Sequence, residues 1–184
     1  KEAITGLTLG FFTNISYYIL SFAGQVIDME IGFSMVNELD PTSNIQTTIT
    51  GNFYSYMVIL MMLITNLHHH LIVAIVDTFK VIPLGSASMS MGIYEVLIAF
   101  MRDYFVIGFR IVLPFFAAIL VVNVILAILI KVVPQLNMFV IGIQLKILIG
   151  LLMLFILVGT LPTISNFIFE EMLDMMRLAI EVLK

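Results

Sequence analysis

The chain has 184 residues, of which 61% are apolar and only 11% are charged, and its formal net charge at pH 7 is −4. Soluble domains carry about 25% charged residues, so this composition argues against a soluble globular domain and for a membrane protein. No cysteine is present, which excludes disulfide and thiol chemistry. The few basic residues are scattered, so they do not form the positive patch of a nucleic-acid-binding domain.

The first predicted helix covers residues 3–29, and most of it belongs to a charge-free run of the length needed to cross a bilayer, about 20 residues. A polar break follows at residues 37–52. Within this break the dipeptide Asp40-Pro41 disfavours helical backbone before the proline, and a cluster of serine, threonine, asparagine and glycine follows. We therefore expect the first helix to be separated from the next by a polar loop.

A second apolar segment, residues 53–67, meets three consecutive histidines and resumes at residues 71–75. Adjacent helical residues project about 100° apart, so His68 to His70 cannot easily hold one metal ion, unlike the paired histidines of a zinc helix. We interpret the histidines as a helix end at a polar boundary. The segment closes in a loop rich in proline, glycine and serine at residues 80–92.

Two long apolar arms, residues 94–130 and 138–161, flank a polar break at residues 131–137. Helices satisfy their own backbone hydrogen bonds in lipid, so two such arms predict a helical hairpin whose polar tip contacts water or protein. The basic residues fall in several different breaks and do not define a membrane topology.

The last segment, residues 165–184, predicts an amphipathic helix that Ser165 or Asn166 could cap. We expect it to lie on a partner or in the membrane interface. One face is polar and the other apolar, the polar face with Glu170, Asp174, Arg177 and Glu181, and the apolar face with Phe169, Met172, Met176, Ala179, Ile180 and Leu183. The predicted fold class is an all-α integral membrane protein made of long apolar hairpins with polar tips and this C-terminal amphipathic helix.

Four carboxylates, those of Asp28, Glu30, Glu38 and Asp40, lie close together in this very apolar sequence. Ionisable groups at membrane depth are candidates for function. Asp28 and Glu30 are two residues apart, so on a helix they point to different faces and do not form a catalytic pair. We interpret the four as interface or solvent-exposed positions, with pore lining and ion or proton handling as open alternatives. No nucleotide-binding, zinc or membrane-protease motif occurs, and we predict no catalytic, cofactor or metal site.

Three segments in order resemble the FliR family, the R-type subunit of the flagellar type III secretion export gate, which has a relative in virulence injectisomes. They are residues 29–41, 66–85 and 113–150, and the densest match is PQLNMFVIG at residues 134–142. The family commonly has Asn-Gly-His where this chain has Asn66-Leu67-His68. The missing glycine argues against a strict backbone requirement at Leu67.

This resemblance implies a structural subunit of the bacterial inner membrane, in the flagellar basal body, and no enzyme. One R copy would assemble with several P-type and Q-type subunits into a pore for unfolded export substrates, in contact with B-type and A-type apparatus subunits and with lipid. Residues 1–93 would be a P-like part with a plug-type loop at 41–51. Residues 94–184 would be a Q-like part containing the hairpin, with its tip at 131–137, and the amphipathic helix.

The resemblance also assigns three groups of site residues. A gate element, in which the glycine would let a neighbouring backbone approach closely, leads into a plug loop. After Asp40-Pro41 this loop is polar and uncharged over residues 42–50, which suits the passage of unfolded chains. The hairpin carries a polar tip. The gate element comprises Gly32, Phe33 and Ser34, the plug loop Asp40, Pro41, Thr42, Ser43, Asn44, Ile45, Gln46, Thr47 and Thr48, and the tip Lys131, Pro134, Gln135, Leu136 and Asn137.

The competing interpretation is a secondary transporter or an ion-channel subunit with Asp28, Glu30 or Arg110 as a site near the membrane midplane. Neutral substitution of these residues separates the two interpretations, because a coupling site needs the ionisable group and a structural subunit does not. An intramembrane hydrolase is a third possibility that lacks its sequence motif.

Overall fold

The computed structural model describes residues 2–34, 48–83, 85–86, 92–135 and 137–183. Across these ranges all regular structure is helical, which confirms the predicted all-α class. The described elements are α1 (Glu2–Ile31), α2 (Ile49–Ile64), α3 (Leu67–Val81), α4 (Gly92–Val132), α5 (Met138–Leu157) and α6 (Leu161–Leu183), with a 3-10 turn at Val158–Thr160 between the last two.

Three helical stretches are long and apolar enough to cross a membrane, which agrees with the predicted integral membrane protein: Glu2–Ile31, Gly92–Val132 and Val140–Leu183. The pair α2 and α3 makes a fourth if it counts as one span, bent by 78°. The bend lies at Asn66, whose φ of 59° is left-handed, a conformation that asparagine adopts more readily than most residues. Leu67 already begins α3, so no glycine is needed there.

The break in this second apolar segment lies at Thr65 and Asn66, before the histidines. His68 to His70 form the first turn of α3, and the rings of His68 and His69 lie with their centroids 4.1 Å apart. The histidines therefore mark a helix end, as predicted, although the second helix starts earlier and the third runs further than the apolar pattern indicated.

The chain divides into two compact units by its internal contacts, and each unit is built from separate chain segments. The first contains Lys1–Ile19, Ser55–Ile107 and Leu161–Lys184, and the second contains Leu20–Tyr54 and Gly108–Thr160. The assignment of residues 1–93 and 94–184 to P-like and Q-like parts concerns resemblance to other subunits and stays a prediction.

The core of the first unit forms where α6 lays its apolar face on the chain itself. Met176 is fully buried and the Thr13 hydroxyl lies 3.8 Å from its sulfur, while Phe12 and Phe100 make an edge-to-face pair with centroids 5.0 Å apart. The two predicted faces of α6 are confirmed, since all six apolar residues are buried and all four polar residues are exposed. The expected cover by a partner or the membrane interface is wrong for this face, because the chain's own core covers it.

The predicted cap of this helix is also wrong. The helix α6 begins at Leu161, so Ser165 lies inside it and is buried. Pro162 stands in its first turn, where the missing N–H of proline leaves no hydrogen bond unmade. The helix therefore starts where we expected the preceding arm to end.

The second unit contains the tip and the adjoining parts of both arms of the predicted hairpin, within Gly108–Thr160. A Cβ built at Gly142 in α5 would lie 3.4 Å from Leu126 Cδ1 in α4, so the two arms pack against each other on either side of the tip. The α1 helix adds Phe22, whose ring centroid lies 6.2 Å from that of Phe109. Many large apolar side chains of the arms remain outside the core, with Phe155 81% exposed. Such a surface requires lipid or other subunits to cover it.

Candidate functional site

The helices α1 and α2 meet backbone to backbone at two glycines in the second unit. A Cβ built at Gly24 would overlap the backbone N and Cα of Gly51, and a Cβ at Gly51 would lie 3.3 Å from Ser21 Cα. Both glycines are buried. Small residues let membrane helices approach this closely, so Gly24 and Gly51 are the close-packing pair of this site.

Gly32, the residue predicted for close packing, lies at the end of α1. No atom in the described part of the chain lies within 4 Å of the place where its Cβ would stand. Its φ is +98°, and its N–H donates to the carbonyl oxygen of Asp28 at 3.0 Å. Glycine adopts this conformation without a steric penalty and commonly ends helices. Its backbone freedom to end α1 is therefore a physical reason for a glycine here, and close packing of Gly32 against a neighbouring backbone stays a prediction.

The carboxylate of Asp28 holds the first turn of α2. The backbone N–H of Thr50 lies 3.2 Å from one carboxylate oxygen and 3.3 Å from the other, and the Thr50 hydroxyl also donates to the carboxylate. Both residues are buried, Asp28 at 4% exposure. The first amides of a helix have no partner within it and carry partial positive charge. A carboxylate from α1 therefore supplies the cap that α2 needs at its start.

Together these contacts form a joint, which we call the α1–α2 joint and define by Gly24, Asp28, Thr50 and Gly51. On α1 the two members are four residues apart, one helical turn, and so share a face. On α2 they are adjacent. The contact between Gly24 and Gly51 brings the two backbones together. The hydrogen bonds from Thr50 to Asp28 fix the start of α2.

The predicted site residues lie on both sides of this joint. Gly32, Phe33 and Ser34 follow α1 and are half-buried, and Thr48 immediately precedes α2. The Thr48 carbonyl accepts the N–H of Asn52 at 3.0 Å. The rest of the predicted plug loop lies outside the described residues, namely Asp40, Pro41, Thr42, Ser43, Asn44, Ile45, Gln46 and Thr47.

At the hairpin, the described tip residues are all exposed: Lys131, Pro134, Gln135 and Asn137. Leu136 lies outside the described residues. The carbonyl of Asn137 accepts the N–H of Ile141 at 3.2 Å and so takes part in the start of α5. The tip therefore presents polar groups outward between two apolar arms.

The three candidates for a transport site differ in their surroundings. Asp28 is buried and bonded to Thr50, Glu30 is half-buried, and Arg110 is exposed on α4. The carboxylate of Asp28 is thus already engaged in holding two helices together. The interpretation of Asp28 as an interface position agrees with this geometry.

Sequence reasoning missed Gly24, Thr50 and Gly51. A glycine inside an apolar helix costs about 1 kcal/mol relative to alanine, so Gly24 was a signal that a packing reason exists. Its partner was not recognised from the sequence, because Gly51 was assigned to the polar break at residues 37–52, whereas it lies in α2.

Comparison with known proteins points to one family. A family model described as "Bacterial export proteins, family 1" matches residues 1–172. The chain is 32% identical over 180 residues to the flagellar biosynthetic protein FliR of Bacillus subtilis (strain 168), a match that covers 96% of the chain and 70% of the relative. It is 26% identical over 176 residues to the protein of that name from Escherichia coli (strain K12), covering 96% and 67%.

Proposed function

Because the chain belongs to family 1 of the bacterial export proteins, the family of the flagellar biosynthetic protein FliR, we propose that it is a pore-forming structural subunit of the type III export gate. It is a flagellar export protein of the bacterial inner membrane. In our proposal, unfolded substrates leave the cytoplasm through an assembly to which this chain contributes. Proton-motive force and an ATPase elsewhere in the apparatus supply the energy, and the chain itself catalyses no reaction.

The observation that carries this proposal is the extent of the family match, which covers nearly the whole chain, residues 1–172. The names of the relatives favour flagellar export over a virulence injectisome. The match also includes the polar hairpin tip and the joint, the two features that a generic apolar bundle does not need.

The exposed apolar surface supports an assembly of several subunits. In the helical stretch Val140–Leu183, only 11% of an apolar 18-residue segment is buried within the chain. Lipid can cover such a surface, but it cannot satisfy the polar tip and the polar break between α1 and α2. We propose that P-type and Q-type subunits cover them, with one copy of this chain in each assembly, and that B-type and A-type subunits contact the assembly from outside.

Within the assembly we assign the pore function to the segment between α1 and α2. Residues 41–48 would act as the plug, and Gly32, Phe33 and Ser34 would lead into it. The last three residues of the predicted plug-type loop, 49–51, belong to α2 instead. The supporting observation is that the chain leaves α1 and returns to α2 at the buried α1–α2 joint. We further propose that residues 1–93 act as the P-like part and residues 94–184 as the Q-like part.

Copurification tests the proposal. The full-length protein would carry an affinity tag on a flexible linker after α6, since Leu183 is buried, and would be extracted in mild detergent from cells that make the whole apparatus. We expect a discrete large complex with two other small apolar subunits and one copy of this chain, measured by native mass spectrometry. A stable monomer or homodimer would contradict the proposal.

A further inference from the structure

We propose that Asp28 is a positioning residue of the export pore, and that it acts by fixing the start of α2 relative to the end of α1. The inference rests on the proposed function and names a residue that contacts the two helix ends from which the proposed plug extends. Nothing in the apolar pattern of the sequence distinguishes this carboxylate from the three that follow it along the chain.

One residue, Asp28, contacts both helix ends. The backbone carbonyl of Asp28 accepts the N–H of Gly32 at 3.0 Å, where α1 ends. Its side chain accepts the N–H and the hydroxyl of Thr50, where α2 begins. The chain from Gly32 to Thr50 is therefore attached at both ends to Asp28.

The α1–α2 joint fixes the orientation of α2 on α1 as well as the distance between the two helices. The contact between Gly24 and Gly51 brings two backbones together, but a contact between two glycines has no side chain to resist rotation. Asp28 adds directed hydrogen bonds from a backbone amide and a hydroxyl of one residue. Together the two contacts restrict both the position and the rotation of α2 relative to α1.

A carboxylate at the buried position 28 needs a physical reason. Replacing a buried ionic group by an apolar side chain of similar size is often neutral or favourable for stability, because burial of the charge is costly. Buried polar groups are, in some systems, what selects one arrangement among several. The role that fits Asp28, at 4% exposure, is therefore to select the arrangement of two helices rather than to add stability.

The competing role is proton or ion handling, the default hypothesis for an ionisable group at membrane depth. The two roles make opposite predictions for Asp28→Asn. An asparagine oxygen still accepts a hydrogen bond from Thr50, so positioning is retained. An amide does not ionise at physiological pH, so a proton-coupling site would be lost.

The experiment uses the full-length protein in cells with the complete export apparatus and measures secreted substrate per assembled complex. The variants are D28N, D28L, T50V and the double variant D28C/T50C, with Q25L, an exposed position on the same helix, as the matched control. The 184-residue sequence has no cysteine, so within it the two introduced cysteines can form a disulfide only with each other. That bond would replace the hydrogen bonds by a covalent link at the same place.

We expect D28N and Q25L to retain most of the export of the natural protein. We expect export by D28L to fall about tenfold. Loss of a charge-assisted hydrogen bond lowers the population of the correctly arranged helices by about this factor. T50V keeps the hydrogen bond from the backbone N–H of residue 50 to Asp28, so its export should lie between that of D28N and that of D28L. Oxidised D28C/T50C should recover export, and reduction of the disulfide should abolish the recovery, a result that a purely chemical role of the carboxylate does not give.

Loss of export in D28N equal to that in D28L, without recovery in oxidised D28C/T50C, would overturn the inference in favour of a charge-dependent role. Natural levels of export in both D28L and T50V would overturn it in favour of no role. If D28L does not assemble, T50V and the double variant still decide between the outcomes. Failure of the proposed function is recognised separately, because the natural protein would then form no complex and support no export.

Discussion

The contact between Gly24 and Gly51 gives the sharpest prediction for stability. Replacing Gly24 by alanine puts a methyl group onto the backbone of Gly51, which no side-chain rotation can relieve. The general gain from Gly→Ala in a helix interior is about 0.5–1 kcal/mol. Overpacking costs about 1–3 kcal/mol, and contact with backbone places this case at the upper end. We expect a net loss of about 1–2 kcal/mol for G24A.

Gly10 provides the matched control. It lies on the same helix, and no described atom is within 4 Å of its missing Cβ. G10A should therefore gain about 0.5–1 kcal/mol from helix propensity alone. The chain has no tryptophan, so thermal melting of the purified protein in detergent is followed by helical circular dichroism. G24A should melt a few °C below the natural protein and G10A slightly above it. Equal or higher stability of G24A would refute the packing of α1 on α2.

Three further predictions use the same melting assay. Met176→Ala should lower the free energy of unfolding by about 2–5 kcal/mol because the side chain is fully buried. Leu178→Ala, at a position 43% exposed on the same helix, should change it little. Equal losses in the two variants would contradict the burial of the apolar face of α6. A double-mutant cycle between Phe12 and Phe100, at 5.0 Å and edge to face, should give a coupling of about 0.5–1.5 kcal/mol, and zero coupling would argue against this pair. At Asn66, with φ of 59°, valine should cost about 1–2 kcal/mol and glycine little; equal melting of both variants would show that the left-handed backbone is not required.

The helices were predictable because long apolar runs alternate with polar breaks, and in the last helix the apolar pattern also has the helical period. The apolar face of α6 follows from that period alone, and the hairpin follows from two apolar runs around a proline-containing polar break. The start of α6 was not predictable from capping residues, because Pro162 begins a helix as readily as it ends one. Ser165 was a good cap by residue type, but the chain continues the helix on both sides of it.

The α1–α2 joint was only partly predictable, because it depends on which helices meet. Asp28 was recognised as an unusual carboxylate, yet its partner Thr50 lies 22 positions along the chain. Gly32 was singled out for close packing, and its part in ending α1 was not predicted, since a glycine after an apolar run has two uses. It can let another backbone approach, or it can take a positive φ to end a helix, and only the backbone conformation distinguishes these.

Site-specific photo-crosslinking to a stalled export substrate tests the central claim most directly. A photoreactive residue would be placed at Ser43, in the proposed plug loop, and as the matched control at Phe155, which is 81% exposed on an apolar arm. The account predicts crosslinks to the unfolded substrate from Ser43 and none from Phe155 in assembled, exporting complexes. Crosslinks from both positions at equal yield, or from Phe155 alone, would contradict a pore lined by the segment that connects α1 and α2.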